Sequence, residues 1–265
     1  MRARCGTTLT EVVVSVGVLA VLTGLLLPAV QSARHAAARV ESANQLRQLC
    51  LGTLQFTSSH DGRLPSVDGT TPNTWESVHA SVLRYIDTPG GNTTYMLDGL
   101  RLWYPRVYRD PLDPTPVEPT GEGNTSTAAN ALLFRGGLKV EVIPDGSSNT
   151  VAFTTRYAQC GRTGAVWSLQ AVNNCTAARP CPQPGGRPAT FAHAPYGDVV
   201  PAAARGFQVR PAAGDCDHRV PQALSPAGLL VGLADGHVRW LRPGVEPAQF
   251  WAAVSPAGGE SVGLD

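Results

Sequence analysis

Cysteines are the residues of this chain best suited to covalent or metal chemistry, and four of the six lie in its C-terminal half. Cys160, Cys175, Cys181 and Cys216 form an even set with loop-like spacing, which is typical of disulfides in an oxidising compartment. Free thiols or a zinc site are the alternatives, but the gap between Cys175 and Cys181 is wider than the spacing of a structural zinc knuckle. All four are disulfide candidates, and the sequence assigns no pairing.

The histidines and acids do not form a recognisable catalytic or metal-binding set. The six histidines make no His-x-His or His-x3-His pair, and three adjacent residues such as Cys216-Asp217-His218 cannot easily point at one ion. Asp145 and Asp235 could bind calcium with nearby loop oxygens, although each Asp-Gly pair is more often only a turn. Since a Gly-x-Ser-x-Gly elbow and a phosphate loop are also absent, the sequence predicts no enzyme, no metal and no cofactor.

The overall composition excludes further classes of function. The 265 residues carry a formal net charge of +1, and no run of five or more Lys/Arg residues occurs. Nucleic acid is therefore not a predicted partner. The 28 Gly and 22 Pro residues favour many turns and short strands over a helical bundle.

One segment near the N-terminus is long and apolar enough to cross a membrane. Residues 12–33 comprise 22 consecutive uncharged positions, and a helix of that length spans about 33 Å, close to the hydrocarbon thickness of about 30 Å. Arg2 and Arg4 precede the segment. The positive-inside tendency therefore predicts a cytoplasmic N-terminus and an exported remainder.

Glu11 distinguishes among the explanations for this apolar segment. A cleaved secretory signal would have a shorter apolar region followed by a small-x-small site. A plain membrane anchor accounts for the hydrophobicity but not for a carboxylate at its edge, because an acid in that position is costly and usually has a partner.

The residues Cys5-Gly6-Thr7-Thr8-Leu9-Thr10-Glu11 resemble the processing motif of type IV prepilins and pseudopilins, with Thr7 where the family usually has Phe. The resemblance implies that a prepilin peptidase cuts after Gly6 and methylates the new amine of Thr7. It also implies that Glu11 pairs with the N-terminal amine of a neighbouring subunit during assembly. Pro28 stands where pilin helices commonly carry a kinking proline.

The helical pattern continues beyond the apolar segment and predicts the domain organisation. Apolar residues recur at steps of three and four up to Leu54, and the helix is predicted to end near 58–62, before Pro65. Cys50 lies on this stripe and is predicted to be a small buried hydrophobe. We expect a leader (1–6), a transmembrane and amphipathic helix (7–60) and an exported β-rich domain (61–265). The fold class is α+β: a pilin-like N-terminal helix packed on an antiparallel β-sheet head with long loops.

Turn residues and alternating patterns predict the elements of the head. In chain order they are a helix within 75–86, an irregular loop at 105–119, a hairpin of strands 138–143 and 150–155 around the turn 145–149, a strand at 165–169, an exposed loop at 175–188, a hairpin of strands 229–233 and 238–241, and a short helix around 250–254.

A second resemblance covers nearly the whole chain. Its pieces occur in the order of a large bacterial family of prepilin-like proteins of unknown function, whose members end in a His-x9-Asp-Gly motif. This chain has Ser225 where the motif has His, His237 where Ser is common, and Thr155 where a Glu often follows. The resemblance implies architecture and location but no reaction. Its pieces are Asp110–Pro114, Asp145–Thr150, Leu233–Gly236 and Pro256–Glu260.

These patterns together predict a pseudopilin-type structural or assembly protein of a type II secretion or type IV pilus-like system. It is expected in the inner (cytoplasmic) membrane, with one span and an extracytoplasmic head. The predicted partners are the prepilin peptidase, other pilin-like subunits and the membrane itself. The alternative is a membrane-anchored, extracytoplasmic ligand-binding module with no role in a filament.

Overall fold

A computed structural model describes most of the chain. The described residues are 8–67, 77–86, 93–97, 100–115, 123–161, 163–166, 186–192, 206–212 and 214–258. The chain divides into two compact units, Met1–Val40 and Glu41–Asp265.

Three helices and twelve strands make up the regular structure of the described residues. The helices are α1 (Leu9–Ser59), α2 (Val78–Leu83) and α3 (Pro247–Val254), and two 3-10 turns cover Arg106–Tyr108 and Val140–Val142. The strands are β1 (Thr93–Leu97), β2 (Leu100–Tyr104), β3 (Thr127–Asn130), β4 (Val151–Thr155), β5 (Gln159–Cys160), β6 (Thr163–Val166), β7 (Gly186–Pro188), β8 (Thr190–Phe191), β9 (Gln208–Val209), β10 (Gln222–Ala223), β11 (Leu229–Leu233) and β12 (Val238–Leu241).

The first unit contains the apolar part of α1, which is long and apolar enough to cross a membrane. Two of its hydroxyl side chains bond back to the helix itself: Ser15 donates to the Glu11 carbonyl at 2.7 Å and Thr23 to the Leu19 carbonyl at 2.8 Å. Such back-bonding gives each of these two hydroxyl hydrogens an acceptor within the helix.

The second unit begins with the rest of α1, which forms one side of the core. Leu46, Leu49 and Cys50 are buried together with Phe153 and Leu230 of the central sheet. The predictions of a helix ending near residue 58, of a sheet beneath it and of a buried Cys50 are confirmed.

The central sheet has five strands in the order β12-β11-β4-β3-β8. Successive residues of β11 point to opposite faces, so Leu230 joins the cluster with α1 whereas Leu229 and Val231 join the cluster with α3. The predicted α+β class is confirmed, but β8 runs parallel to β3, so the sheet is mixed rather than antiparallel.

The hairpin predicted for 138–143 and 150–155 is wrong. Leu138 and Val140 instead bond to the segment after α1, with the Leu64 amide donating to the Leu138 carbonyl at 2.9 Å and the Val140 amide to the Gly62 carbonyl at 3.1 Å. Val142 then bonds to the Lys139 carbonyl and closes a 3-10 turn. Strand β4 does form at 151–155, but β3 and β11 occupy its two edges.

Other predicted elements are confirmed where the structure describes them. Strands β11 and β12 form the predicted hairpin, whose turn places Gly236 at a φ of 94°. Helix α3 lies where expected, α2 covers part of 75–86, and β6 covers the described start of 165–169. The irregular loop of 105–119 is described to residue 115 and includes one 3-10 turn. The exposed loop predicted at 175–188 is wrong at its end, because residues 186–188 form β7 beside β6.

Candidate processing and assembly site

The N-terminal site is described from Thr8 onward, so Gly6 and Thr7 lie outside the described residues. The Thr8 amide and hydroxyl donate to the Glu11 carboxylate at 2.8 and 2.9 Å, and the Glu11 amide donates back to the Thr8 hydroxyl at 3.3 Å. This is the reciprocal pattern of a capping box, which satisfies amide donors at the start of a helix. The Glu11 carboxylate is therefore held at the first turn of α1.

The capping partner of Glu11 is a residue that the sequence analysis missed. The readable signal is Thr8 followed three positions later by Glu11, directly before an apolar run. The structure thus gives the acid a role within its own chain, as well as the intermolecular one implied by resemblance.

Pro28 lies inside α1, as its position in the sequence required. A proline has no amide hydrogen, so the Gly24 carbonyl one turn earlier receives no helical hydrogen bond from it. The space beside Gly24 is also open, because a Cβ placed on this residue would meet nothing within 4 Å.

Two of the disulfide candidates are joined. Cys160, at the end of β5, and Cys216 form a disulfide with a Cα–Cα distance of 5.5 Å and a sequence separation of 56. Cys175 and Cys181 lie outside the described residues. Cys50 is a free, buried thiol, and burial raises its pKa to about 12, with the nearby Asp235 charge adding to the effect.

The segment after Cys216 is held by side-chain hydrogen bonds. The Arg219 guanidinium donates two hydrogen bonds of 2.8 and 2.9 Å to the Asp217 carboxylate. The Asp217 amide donates to Oε1 of Gln208 at 2.8 Å. The backbone carbonyl of His218 accepts from Arg156 at 3.1 Å. The sulfur and the carboxylate of the triplet 216–218 are therefore both engaged in structural contacts.

The two aspartates of the Asp110–Pro114 piece anchor neighbouring segments. Asp113 has a fully buried side chain that accepts from the Ser126 hydroxyl at 2.6 Å and the Ala158 amide at 2.9 Å. Asp110 accepts from the Ser42 hydroxyl on α1 and, at 2.8 Å, from the Leu112 amide. Burial raises the pKa of Asp110 to about 6, although both hydrogen bonds oppose the rise.

His79 is the one histidine that the structure places deep in the core of the described residues. Its Nε2 lies 3.0 Å from the Thr127 hydroxyl, and its ring meets those of Tyr108 and Phe153 edge to face. Burial lowers the pKa of His79 to about 3, with the Arg156 charge contributing. The imidazole is therefore neutral at pH 7 and acts as a packed, hydrogen-bonded core group.

The positions that depart from the His-x9-Asp-Gly family pattern are occupied in local structure. Ser225 is buried and accepts from the Ala227 amide at 3.2 Å, within a turn. The Thr155 hydroxyl donates to the Gln222 carbonyl at 3.2 Å. His237 is exposed, and its Nδ1 lies 3.0 Å from the Asp235 carboxylate.

Two of the four sequence pieces given above for the second resemblance, Asp145–Thr150 and Pro256–Glu260, are joined by hydrogen bonds. The Asp145 carboxylate accepts from the Gly258 amide at 2.7 Å, and the Asp145 amide donates to the Pro256 carbonyl at 3.3 Å. Nearby, Asn130 donates to the carbonyls of Val151 and Val254, both at 2.7 Å, and so ties the end of α3 to the sheet. These residues fasten the C-terminal segment to the core.

No protein-family model, curated protein or solved structure matches this chain. The interpretation of the site therefore depends on the chain's own residues. Those residues give a capped, exposed apolar helix at the N-terminus and a head whose buried polar groups contact other segments of the head.

Proposed function

We propose that this chain is a pseudopilin-type structural subunit of a type II secretion or type IV pilus-like system, processed after Gly6 by a prepilin peptidase. The observation that carries the proposal is the pattern of exposure along α1. Every Val and Leu between Leu9 and Val30 is exposed, whereas Leu46 and Leu49 of the same helix are buried in the head. A continuous apolar surface of that length requires a lipid bilayer or neighbouring apolar helices around it.

Glu11 supplies the assembly contact in this proposal. Its carboxylate is positioned by Thr8 at the end of the helix next to the proposed cleavage point. In an apolar surrounding a carboxylate requires an opposite charge, and the free amine of a processed Thr7 on a neighbouring subunit provides one. The same electrostatic requirement disfavours a subunit that remains alone in the membrane.

The proposed topology places the head outside the cytoplasm. The Cys160–Cys216 disulfide supports this location, because disulfides persist in oxidising compartments and are rare in the cytosol. The free thiol Cys50 is compatible with the same compartment because its burial withholds it from oxidants.

We assign the head a scaffolding role rather than a catalytic one. The buried polar groups that could be chemically active, Asp110, Asp113 and His79, are each used to hold two parts of the head together. Burial of His79 and Asp110 is therefore explained by packing, without reference to a substrate.

The test combines the mass of the membrane form with one substitution. The purified form should begin at a methylated Thr7, and Glu11→Ala should abolish cross-linked oligomers in the membrane while leaving the chain anchored. Glu41→Ala is the matched control, since Glu41 is also an exposed acid of α1. A chain that begins at Met1, or oligomers unaffected by Glu11→Ala, would refute the assembly role and favour the anchored binding module.

A further inference from the structure

Basic side chains follow the apolar part of α1 immediately. Arg34 and His35 come directly after the last uncharged position, and Arg39 follows within the next two turns; all three are exposed. From Val12 to Val40 the chain contains no acidic residue. We call Arg34, His35 and Arg39 the basic collar.

The basic collar lies on one side of the helix. Since successive residues of an α-helix are rotated by about 100°, His35 lies about 100° from Arg34 and Arg39 about 140° from it in the same direction, so the three residues fall within an arc of about 140°. Arg39 is only about 7.5 Å further along the helix axis than Arg34. Both long side chains can therefore reach the same layer of lipid headgroups beside the helix.

The position along the helix fits the same surrounding. The 22 uncharged residues before Arg34 span about 33 Å, which is slightly more than a hydrocarbon core of about 30 Å. Arg34 therefore lies at the boundary between the hydrocarbon and the headgroups when the span begins near Glu11. Long arginine side chains reach from such a boundary into the headgroup layer.

The collar also runs against the usual distribution of charge across a membrane. The positive-inside tendency places arginines on the cytoplasmic side, whereas the proposed topology puts Arg34 and Arg39 on the exported side. Cleavage after Gly6 would remove Arg2 and Arg4, so the collar would hold the only arginines that flank the span in the processed chain. An arrangement that opposes insertion is retained more easily if the collar gains a favourable contact once it is exported.

We propose that the basic collar binds the phosphate groups of anionic phospholipids in the outer leaflet of the membrane that α1 spans, and so fixes the depth of the helix. This inference depends on the proposed function, because it takes the membrane anchor and its orientation from it. The attraction is electrostatic, so it should weaken as salt rises.

The test measures lipid selectivity of the chain in phosphatidylcholine bilayers, using trace amounts of spin-labelled phosphatidylglycerol or spin-labelled phosphatidylcholine. In every protein tested Arg2 and Arg4 are replaced by Gln, so that the collar holds the only arginines that flank the span; the protein with no further change is called the unaltered chain. The ratio of the two association constants should favour phosphatidylglycerol by about fivefold for each arginine engaged. The double variant Arg34→Gln/Arg39→Gln should return the ratio to about one, as should 1 M salt. The matched control is Arg47→Gln, an exposed arginine further along α1, which should leave the ratio unchanged.

The outcomes distinguish lipid binding by the collar from anchoring of α1 in the membrane. Immobilisation of both lipids to the same extent by the unaltered chain would overturn the proposed lipid binding by the collar and leave the membrane anchor intact. A preference that survives in the double variant, or that Arg47→Gln removes equally, would also overturn the collar. A chain that immobilises neither lipid is not inserted, and that result would overturn the membrane anchor and the collar together.

Discussion

Helix α1 places leucines in two regions of the molecule, and the two regions differ in how far they bury these side chains. In the first unit Leu22 is 51% exposed, whereas in the second Leu49 is fully buried against the head. Water is a poor solvent for the first region, and the head itself surrounds the second. Hydrophobicity alone therefore does not define a core residue, because the surroundings of each part of the helix decide whether its apolar side chains are buried.

The polar groups of the two regions differ in the same way. In the first unit the hydroxyls of Ser15 and Thr23 bond to carbonyls of their own helix. In the head, Asp113 and Asn130 bond to segments that are distant in sequence. These two hydroxyls of the first unit are therefore satisfied within their own helix, whereas the two buried side chains of the head depend on tertiary structure.

Replacing one leucine by alanine in each of the two regions should give the strongest contrast in the stability of the head. Leu49→Ala should lower the free energy of unfolding of the head by about 2–5 kcal/mol, because it leaves a cavity in a packed core. Leu22→Ala should leave it unchanged, because Leu22 is exposed and belongs to neither buried cluster of the head. All five tryptophans follow residue 60, so their fluorescence during urea unfolding in detergent reports the head alone. Equal losses in the two variants would contradict the independence of the regions.

A second test uses the buried carboxyl of Asp110, which has no counterpart in the first unit. Its folded pKa of about 6 is above the ordinary value of 3.8, so the folded head binds the proton more tightly than the unfolded chain. Stability due to this group is therefore complete below pH 4, falls as the pH rises to 6 and is constant above. The total fall is on the order of 3 kcal/mol.

Asp110→Asn should remove this dependence while keeping an oxygen to accept from the Leu112 amide. The measurement is the difference in free energy of unfolding between the two proteins at pH 4, 5, 6 and 7. The difference cancels the opposite contribution of His79, whose pKa of about 3 lets it add stability as the pH rises towards 6.5. A difference that does not vary with pH would show that Asp110 does not titrate as its burial requires.

A third test concerns a close approach of α1 and the central sheet at Gly232. A Cβ on Gly232 of β11 would collide with the Cys50 sulfur and lie 3.3 Å from a Leu46 side-chain carbon. Gly232→Ala should therefore cost about 1–3 kcal/mol of head stability. Gly17→Ala is the matched control, since a Cβ there meets nothing within 4 Å. The same unfolding assay should find the control neutral, and a neutral Gly232→Ala would contradict the tight contact.

Patterns of neighbouring residues correctly predicted the elements that interactions between near neighbours determine. The long helix followed from the spacing of apolar residues, and the β11–β12 hairpin from the Asp235-Gly236 turn. The alternation at 138–143 predicted a strand that is absent, because no edge of β4 was left to receive it. Strand order depends on contacts between distant residues, and a single sequence does not display them.

The candidate site shows the same division. The processing and assembly roles of Gly6 and Glu11 were inferred from the resemblance to the prepilin motif and stay predictions, whereas the Thr8 cap was readable from the same few residues. The partner of Cys160 was not readable, because four cysteines allow three complete pairings. The buried roles of Asp113 and His79 also lacked a local signal, since both depend on what the fold places around them.

Loss of a helix cap should have a weaker effect than the three substitutions above, and each unit offers one cap. Thr8 caps α1 in the first unit, and Ser77 caps α2 in the head by accepting from the Ala80 amide at 3.1 Å. Replacing either by Ala should cost about 1 kcal/mol. For Ser77→Ala the loss should appear in the unfolding of the whole head. For Thr8→Ala it should appear only as faster hydrogen exchange, about fivefold, at the first amides of α1.

Thr8→Ser keeps a hydroxyl for the cap and should exchange at the original rate. Loss of head stability in Thr8→Ala would mean that the start of α1 and the head unfold as one unit. Exchange confined to the first turn would instead show that fraying ends within the membrane-length part of α1, because each helical turn there is held by its own hydrogen bonds. The exposed part of α1 would then be independent of the head in stability as well as in the surroundings it requires.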